Sequence, residues 1–267
     1  MKKSLFFRLR NNFTYRTREI VIWFETLFLP RIMSCLVRGQ LVLLKVENKK
    51  ELNRALTYST KEPITLDWLD ELVKENDILY DIGANIGLYS LYLGKKLNGK
   101  CHIYAFEPEA LNLAKLNINI HMNKLSRCIK AYSIALSSKN KISEFYINHF
   151  GYGEAAHQFG IPLLDTAPEH VEGSVGLTVD SLVYDYNLPC PNHLKIDVDG
   201  LEQDVVEGGK RVISNPAVRS VLVEVDKSPE VSSRRQWLLD FFSSHGFKLA
   251  PYEDSRNKTE NLVFVKV

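Results

Sequence analysis

The chain has 267 residues, 45% of them hydrophobic and 25% charged, enough for one sizeable α/β core, which excludes a disordered or fibrous protein. Its net charge of +2 hides an asymmetry, because residues 1–50 hold eleven basic and three acidic side chains and the remainder is net acidic. That balance excludes a nucleic-acid groove spread over the main domain and directs any anionic partner to the N-terminus.

Residues 1–60 read as a basic, apolar, helical appendage to a domain over 61–267. Within it, the apolar run Ile20–Leu29 is interrupted by Glu25 and falls short of the about 20 residues that a membrane span needs. It also starts late for a signal peptide and lacks a small-residue cleavage site. The expected roles of residues 1–50 are peripheral contact at the inner face of a membrane, or an amphipathic helix packed on its own domain or on a second copy in a homo-oligomer. A cytoplasmic location follows, and Cys35, Cys101, Cys128 and Cys190, which form no CxxC pair, agree with a reducing compartment. Gln40–Val46 reads as a short strand and Asn48–Ser59 as a polar seam before the domain. Pro63 then opens a helix running to Val73.

The most informative segment follows a strand over 77–82. Asp81-Ile82-Gly83-Ala84-Asn85-Ile86-Gly87 leads directly into a helix over 86–97, a strand-turn-helix suited to ligand binding. Glycines at 83 and 87 permit a sharp turn and close ligand approach, and the helix offers free N–H groups. A dinucleotide fingerprint needs glycine where this chain has Asn85, and Asp81 opposes a pyrophosphate. Both residues favour a ligand bearing an ammonium and a sulfonium, as S-adenosylmethionine (SAM) does. The second strand, 101–106, ends at Glu107, 24 residues beyond Gly83, where a carboxylate can take both ribose hydroxyls.

Helices over 109–122, 201–214 and 231–245 alternate with strands over 128–136, 192–198 and 219–225, which predicts a parallel sheet between helical layers. Residues 247–252 and 261–267 have no helix between them and are expected to form a terminal antiparallel hairpin. Between 137 and 191 the alternation lapses. Residues 143–148 read as an added strand, and 150–160, rich in aromatics and glycine, as a substrate lid.

A second motif, Lys195-Ile196-Asp197-Val198-Asp199-Gly200, continues to Val205-Val206-Glu207-Gly208-Gly209. Together with Asp81–Gly87, Phe106-Glu107-Pro108 and Ser133-Ile134-Ala135-Leu136-Ser137, it resembles the FkbM family of SAM-dependent methyltransferases over residues 61–267. The resemblance implies a class I Rossmann-like α/β fold whose mostly parallel sheet ends in an antiparallel hairpin. It also implies that Asp81, Gly83, Ala84, Asn85, Gly87, Glu107 and Ala135 surround SAM and that Asp197 faces the methyl-transfer site. One departure is visible: the family often carries Glu where this chain has the shorter Asp199.

A sulfonium methyl is already activated, so such an enzyme mainly aligns donor and acceptor and excludes water. An alcohol acceptor must also lose a proton. Asp197, at a strand C-terminus, is the first candidate base, with Asp199 beside it and His157 in the lid as weaker candidates. The competing role for Asp197 is capping of the next helix. Asp199, Glu202 and Glu224 offer oxygens for a cation with Asp197, yet carboxylates gather near a helix N-terminus without one, and no metal is expected. The leading reading is O-methylation of a hydroxyl on a sugar, glycan or other small molecule. The alternatives are a nicotinamide-dependent oxidoreductase, opposed by Asp81 and Asn85, and a non-catalytic SAM-fold scaffold docking through residues 1–50.

Overall fold

The structure, a computed structural model, describes residues 32–162, 167–227, 232–252 and 259–267. It opens on an antiparallel hairpin, β1 (Ile32–Val37) and β2 (Gln40–Lys45), followed by α1 (Lys49–Thr57) and α2 (Pro63–Leu72). Then come β3 (Ile78–Ile82), α3 (Leu88–Lys96), β4 (His102–Phe106), α4 (Ala110–Met122) and β5 (Ile129–Tyr132). An insertion follows, made of β6 (Ala135–Leu136), β7 (Lys141–Ile147), β8 (Gln158–Phe159) and β9 (His170–Leu177). The chain returns through α5 (Val179–Tyr184), β10 (His193–Ile196), α6 (Glu202–Gly208), α7 (Lys210–Ser214) and β11 (Ser220–Asp226). It ends with α8 (Ser232–Ser244), β12 (Phe247–Leu249) and β13 (Thr259–Lys266).

The main sheet has seven strands in the order β12-β13-β11-β10-β3-β4-β5. Five of them are parallel neighbours, and β13 runs antiparallel to both β11 and β12, as the terminal hairpin reading expects. Successive strand residues face opposite layers. Leu79, Ile103, Leu222 and Val263 therefore pack with α2, α3 and α4 on one face, while Tyr80, Ile82, Leu194, Val223 and Phe264 pack with α6, α7 and α8 on the other. Strand order reverses between β3 and β10, and the crevice beyond their C-terminal ends is where such sheets bind ligands.

Three expectations are corrected. The single strand expected over 128–136 divides, because after Tyr132 the chain leaves the main sheet and β6 pairs with β9 in a separate four-stranded sheet ordered β6-β9-β7-β8. The helix over 201–214 breaks after Gly208, where a Cβ would lie 2.1 Å from the Ser137 carbonyl oxygen.

The largest correction concerns the appendage. Residues 1–31 lie outside the described residues, but 32–60 are a hairpin and a helix rather than a helical appendage, and Asn48–Ser59 is not a seam. Asn48 accepts the Glu51 N–H at 2.8 Å while Glu51 accepts the Asn48 N–H, a capping box that starts α1. Asn119 of α4 and Asn123, the residue that caps its C-terminus, hydrogen-bond the backbone of Lys45 and Leu43 respectively, which satisfies the free edge of β2. Val37, Val42, Leu44, Val46 and Leu52 join the same core cluster as Leu91 and Ile103. Burial of each such side chain contributes about 1.5–3 kcal/mol, so the five together rival a domain's whole stability of about 5–15 kcal/mol. A chain beginning at Lys61 is expected to aggregate, and size-exclusion chromatography with thermal unfolding against the full chain checks this.

Candidate active site

The turn after β3 is built for close approach. Gly83 sits at φ +76, and a Cβ there would lie 1.8 Å from the Asp197 carbonyl oxygen, so any side chain at this position would push β3 and β10 apart. Asn85 takes the left-handed conformation at φ 50, which asparagine tolerates, and so stands in for a glycine. The N–H groups of Gly83 and Ala84 both bond to the Phe106 carbonyl, tying the turn to the end of β4.

Beyond these strand ends lies a cavity of about 130 Å³, where a single water needs only roughly 10–15 Å³. Seven of the ten site residues expected from sequence line it: Gly83, Asn85, Glu107, Ala135, His157, Asp197 and Asp199. Three do not. Gly87 lies under Leu116, Ala84 is buried in the core, and Asp81, 1% exposed, lies beneath the wall. Asp81 accepts the Ser90 hydroxyl at 2.6 Å, which pins α3 to β3, and its other oxygen lies 3.8 Å from Lys195 Nζ. Burial raises its pKa, opposed by Lys195 and Ser90.

Glu107 is shaped as an acceptor. It is 5% exposed, and its two oxygens accept the N–H groups of Asn85 at 2.7 Å and Glu109 at 3.0 Å. A carboxylate has about four lone-pair positions, so each oxygen keeps one toward the cavity, a match for two neighbouring hydroxyls. Burial pushes its pKa up to about 8 despite the two N–H groups, with Glu109 and Asp199 adding to the rise.

Asp197 follows β10, with its side chain 21% exposed at the cavity and 2.9 Å from Lys195 Nζ. Burial works to raise its pKa, but Lys195, the nearby Glu224 and Lys61 outweigh that and hold it below the ordinary carboxylate range. Lys195 itself is buried, and Asp197, Asp81 and Glu62 outweigh the burial that disfavours its charge. Glu62, Asp197 and Glu224 each bring a carboxylate oxygen within 4.8 Å of the others. Lys61 pairs with Glu62 at 2.7 Å, so two lysines already offset this acidic group. Glu202 stays apart from it, accepting the Gly200 N–H at 2.8 Å at the start of α6.

The segment expected as a lid straps the cavity through polar contacts. Glu154 O accepts Asn85 Nδ2 at 2.6 Å, Gly153 O accepts Arg54 Nε at 2.7 Å, and the Ala156 N–H donates to Asp199 at 2.7 Å. Arg54, Lys61, Asn112, Phe145, Phe159 and Glu224 also line the cavity, and the sequence motifs do not include them. Their contributing elements are distant along the chain; Phe145 falls in the expected added strand, Phe159 in the expected lid and Glu224 at the end of an expected strand, while Arg54, Lys61 and Asn112 carried no signal. His193, the other histidine near the motif, lies at the opposite end of β10 and bonds Ser220 at 2.7 Å and Asp77 at 3.2 Å, a core network.

The decisive comparison is with families of known proteins: the model of the methyltransferase FkbM domain matches residues 81–249. The chain belongs to the FkbM methyltransferase family. This FkbM chain is 26% identical over 192 residues to the hexuronic acid methyltransferase AglP of Haloferax volcanii, an alignment covering 71% of this chain and 72% of that protein. It is 28% identical over 157 residues to the methyltransferase sdnD of Sordaria araneosa, covering 50% of this chain and 60% of that one. In fold it is similar to a crystal structure of methyltransferase FkbM from Methylobacillus flagellatus, with a TM-score of 0.51 and 14% identity over 97% of this chain and 64% of that one. As a class I methyltransferase of this family it uses S-adenosylmethionine. The cavity fits that group: a paired acceptor in Glu107, no side chain at Gly83, and apolar walls from Ala135, Phe145 and Phe159.

The raised pKa of Glu107 gives this FkbM protein a pH signature. A pKa near 8 favours the protonated form at neutral pH, and the role the resemblance implies for Glu107, acceptor of two ribose hydroxyls, would require loss of that proton. SAM binding should therefore release a proton and tighten as pH rises toward about 8, then level off. The sign is opposite for folding, since a raised folded pKa stabilises below the unfolded value and that contribution is lost as pH rises through about 8. Calorimetric titrations in buffers of different ionisation enthalpy read the released proton directly.

Proposed function

We propose that the protein methylates a hydroxyl oxygen on a sugar, glycan or other small molecule, with Asp197 as proton acceptor. The observation that carries this is Asp197 itself: an ionised carboxylate at the crevice end of β10, paired with buried Lys195 and still partly open to the cavity. SAM supplies an activated methyl group when bound. The residues of the chain then have three tasks. Asp197 would accept the proton of the acceptor hydroxyl as that oxygen takes up the methyl group that SAM would supply, the sulfonium becoming a neutral thioether. Lys195 holds Asp197 ionised and oriented. Asp199, through Ala156, keeps the strap over the cavity and excludes water. The depressed pKa keeps Asp197 ionised and able to take a proton, and the driving force of the transfer lies in the sulfonium leaving group.

The polar wall of Arg54, Lys61, Asn112 and Glu224 suits a polyhydroxylated acceptor, and the hexuronic acid named for the Haloferax volcanii relative is such a compound. Incubation with methyl-tritiated SAM and separate glycan, lipid, small-molecule and nucleic-acid fractions tests the reading. Label is expected in the glycan or small-molecule fraction and unchanged by chelator, since Lys61 and Lys195 offset the carboxylates. Label confined to nucleic acid would overturn it. Loss with chelator and rescue by Mg²⁺ would reassign Glu62, Asp197 and Glu224 to a metal.

A further inference from the structure

The insertion β6–β9 is not needed to complete the main sheet, yet it sends Ala135, Phe145, His157 and Phe159 into the cavity wall. Ala135, Phe145, Ile147 and Phe159 form a small apolar cluster of their own, with Leu201 packed against it. His157 stands edge-on to Phe145, ring centroids 6.0 Å apart. It is 7% exposed, and among the described residues neither ring nitrogen has a hydrogen-bond partner, although buried imidazoles ordinarily have one. Burial holds its pKa down to about 4, so the ring is neutral and offers one donor and one acceptor.

The backbone around His157 is fixed. Ala156 has φ 67, a conformation that costs energy for a non-glycine residue, and its N–H donates to Asp199 Oδ2. Gln158 Nε2 donates to the Asp199 carbonyl at 2.7 Å, so both neighbours of His157 are held by one residue. A buried, rigidly presented imidazole that lines the cavity with both nitrogens unpaired among the described residues has a donor and an acceptor to offer a ligand.

Position in the crevice identifies that ligand. Glu224, Asp197, Gly83, Glu107 and Ala135 succeed one another across it, following β11, β10, β3, β4 and the chain beyond β5. With the ribose hydroxyls at Glu107 and the acceptor at Asp197 and Glu224, the nucleobase falls on the insertion side. We propose that His157 is the adenine-recognition residue of the SAM site, its imidazole hydrogen-bonding the edge of a base enclosed by Phe145, Phe159 and Leu136. This rests on SAM being the cofactor and replaces the weak role of His157 as a proton shuttle. It makes the insertion part of the cofactor site as well as a cover over the acceptor.

The test is calorimetric binding of S-adenosylhomocysteine, which does not turn over, to the full-length protein and to His157→Leu. Analogues altered on the base (6-oxo, 3-deaza and 7-deaza) are titrated in parallel. Wild type should bind at least one analogue about tenfold more weakly than the parent, and His157→Leu should bind the parent about tenfold more weakly and lose that discrimination. Melting of the ligand-free variant should be unchanged or higher, because the substitution removes unpartnered buried nitrogens. Equal binding of all analogues by wild type overturns the proposal without any variant, should His157→Leu fail to fold. Unchanged binding in a folded His157→Leu with lost methyl transfer also overturns it and returns His157 to proton transfer. Failure of wild type to bind S-adenosylhomocysteine at all would overturn the cofactor assignment itself, a separate outcome.

Discussion

Asp197→Asn should abolish most methyl transfer while leaving SAM affinity within a few-fold of wild type. A positioned general base contributes roughly 10²–10⁴-fold, and the amide has no capacity to take the hydroxyl proton. The substitution is isosteric, and Lys195 keeps Asp81 at 3.8 Å, so the fold should survive. Thermal unfolding separates a folded inactive variant from a damaged one. Asp199→Asn should cost less, because Asp199 acts on the strap through the Ala156 N–H and does not need to accept a proton. Normal turnover by folded Asp197→Asn would remove the base assignment.

The second large effect belongs to Glu107. Hydrogen bonds to a charged group contribute about 1.5–3 kcal/mol each, and the carboxylate has one free position on each oxygen. Part of that gain is spent on removing a proton from a group whose pKa is about 8. Glu107→Gln should therefore weaken SAM roughly 10²-fold, with the turn kept in place by the bonds from Gly83 and Ala84 to Phe106. The proton released on binding should vanish in the same variant. Binding within twofold of wild type, with proton release retained, would place the ribose elsewhere.

Much of the fold was legible because it is local and periodic. The strands at 78–82, 102–106 and 220–226 lie within a residue of the spans read from hydrophobic runs, and Gly83, Asn85 and Glu107 mark their ends. What escaped depends on contacts between distant segments. Gln40–Val46 reads as a strand, but the segment that forms α1 looks like a polar seam because Lys49 and Lys50 are conspicuous in sequence, whereas Leu52 and Ala55 carry the packing. In β7 only Phe145 and Ile147 are buried, and β8 has two residues, too short for a period to show. Lys195 looked like an ordinary motif residue. Its importance comes from strand register, which sets it directly opposite Asp81. The same register explains why Asp81, expected on the wall, lies beneath it: its side chain shares the α3 face of the sheet, where Ser90 and Lys195 claim its oxygens.

The bond formed by the transferred methyl is the most direct test of oxygen methylation assisted by Asp197. The labelled acceptor fraction, treated with protein and ¹³C-methyl SAM, is analysed by carbon–proton correlation before and after alkaline hydrolysis. A methoxyl carbon on an ether oxygen, stable to alkali and absent with Asp197→Asn, is the predicted result. A methyl on nitrogen or carbon, or an ester methyl released by alkali, would contradict it.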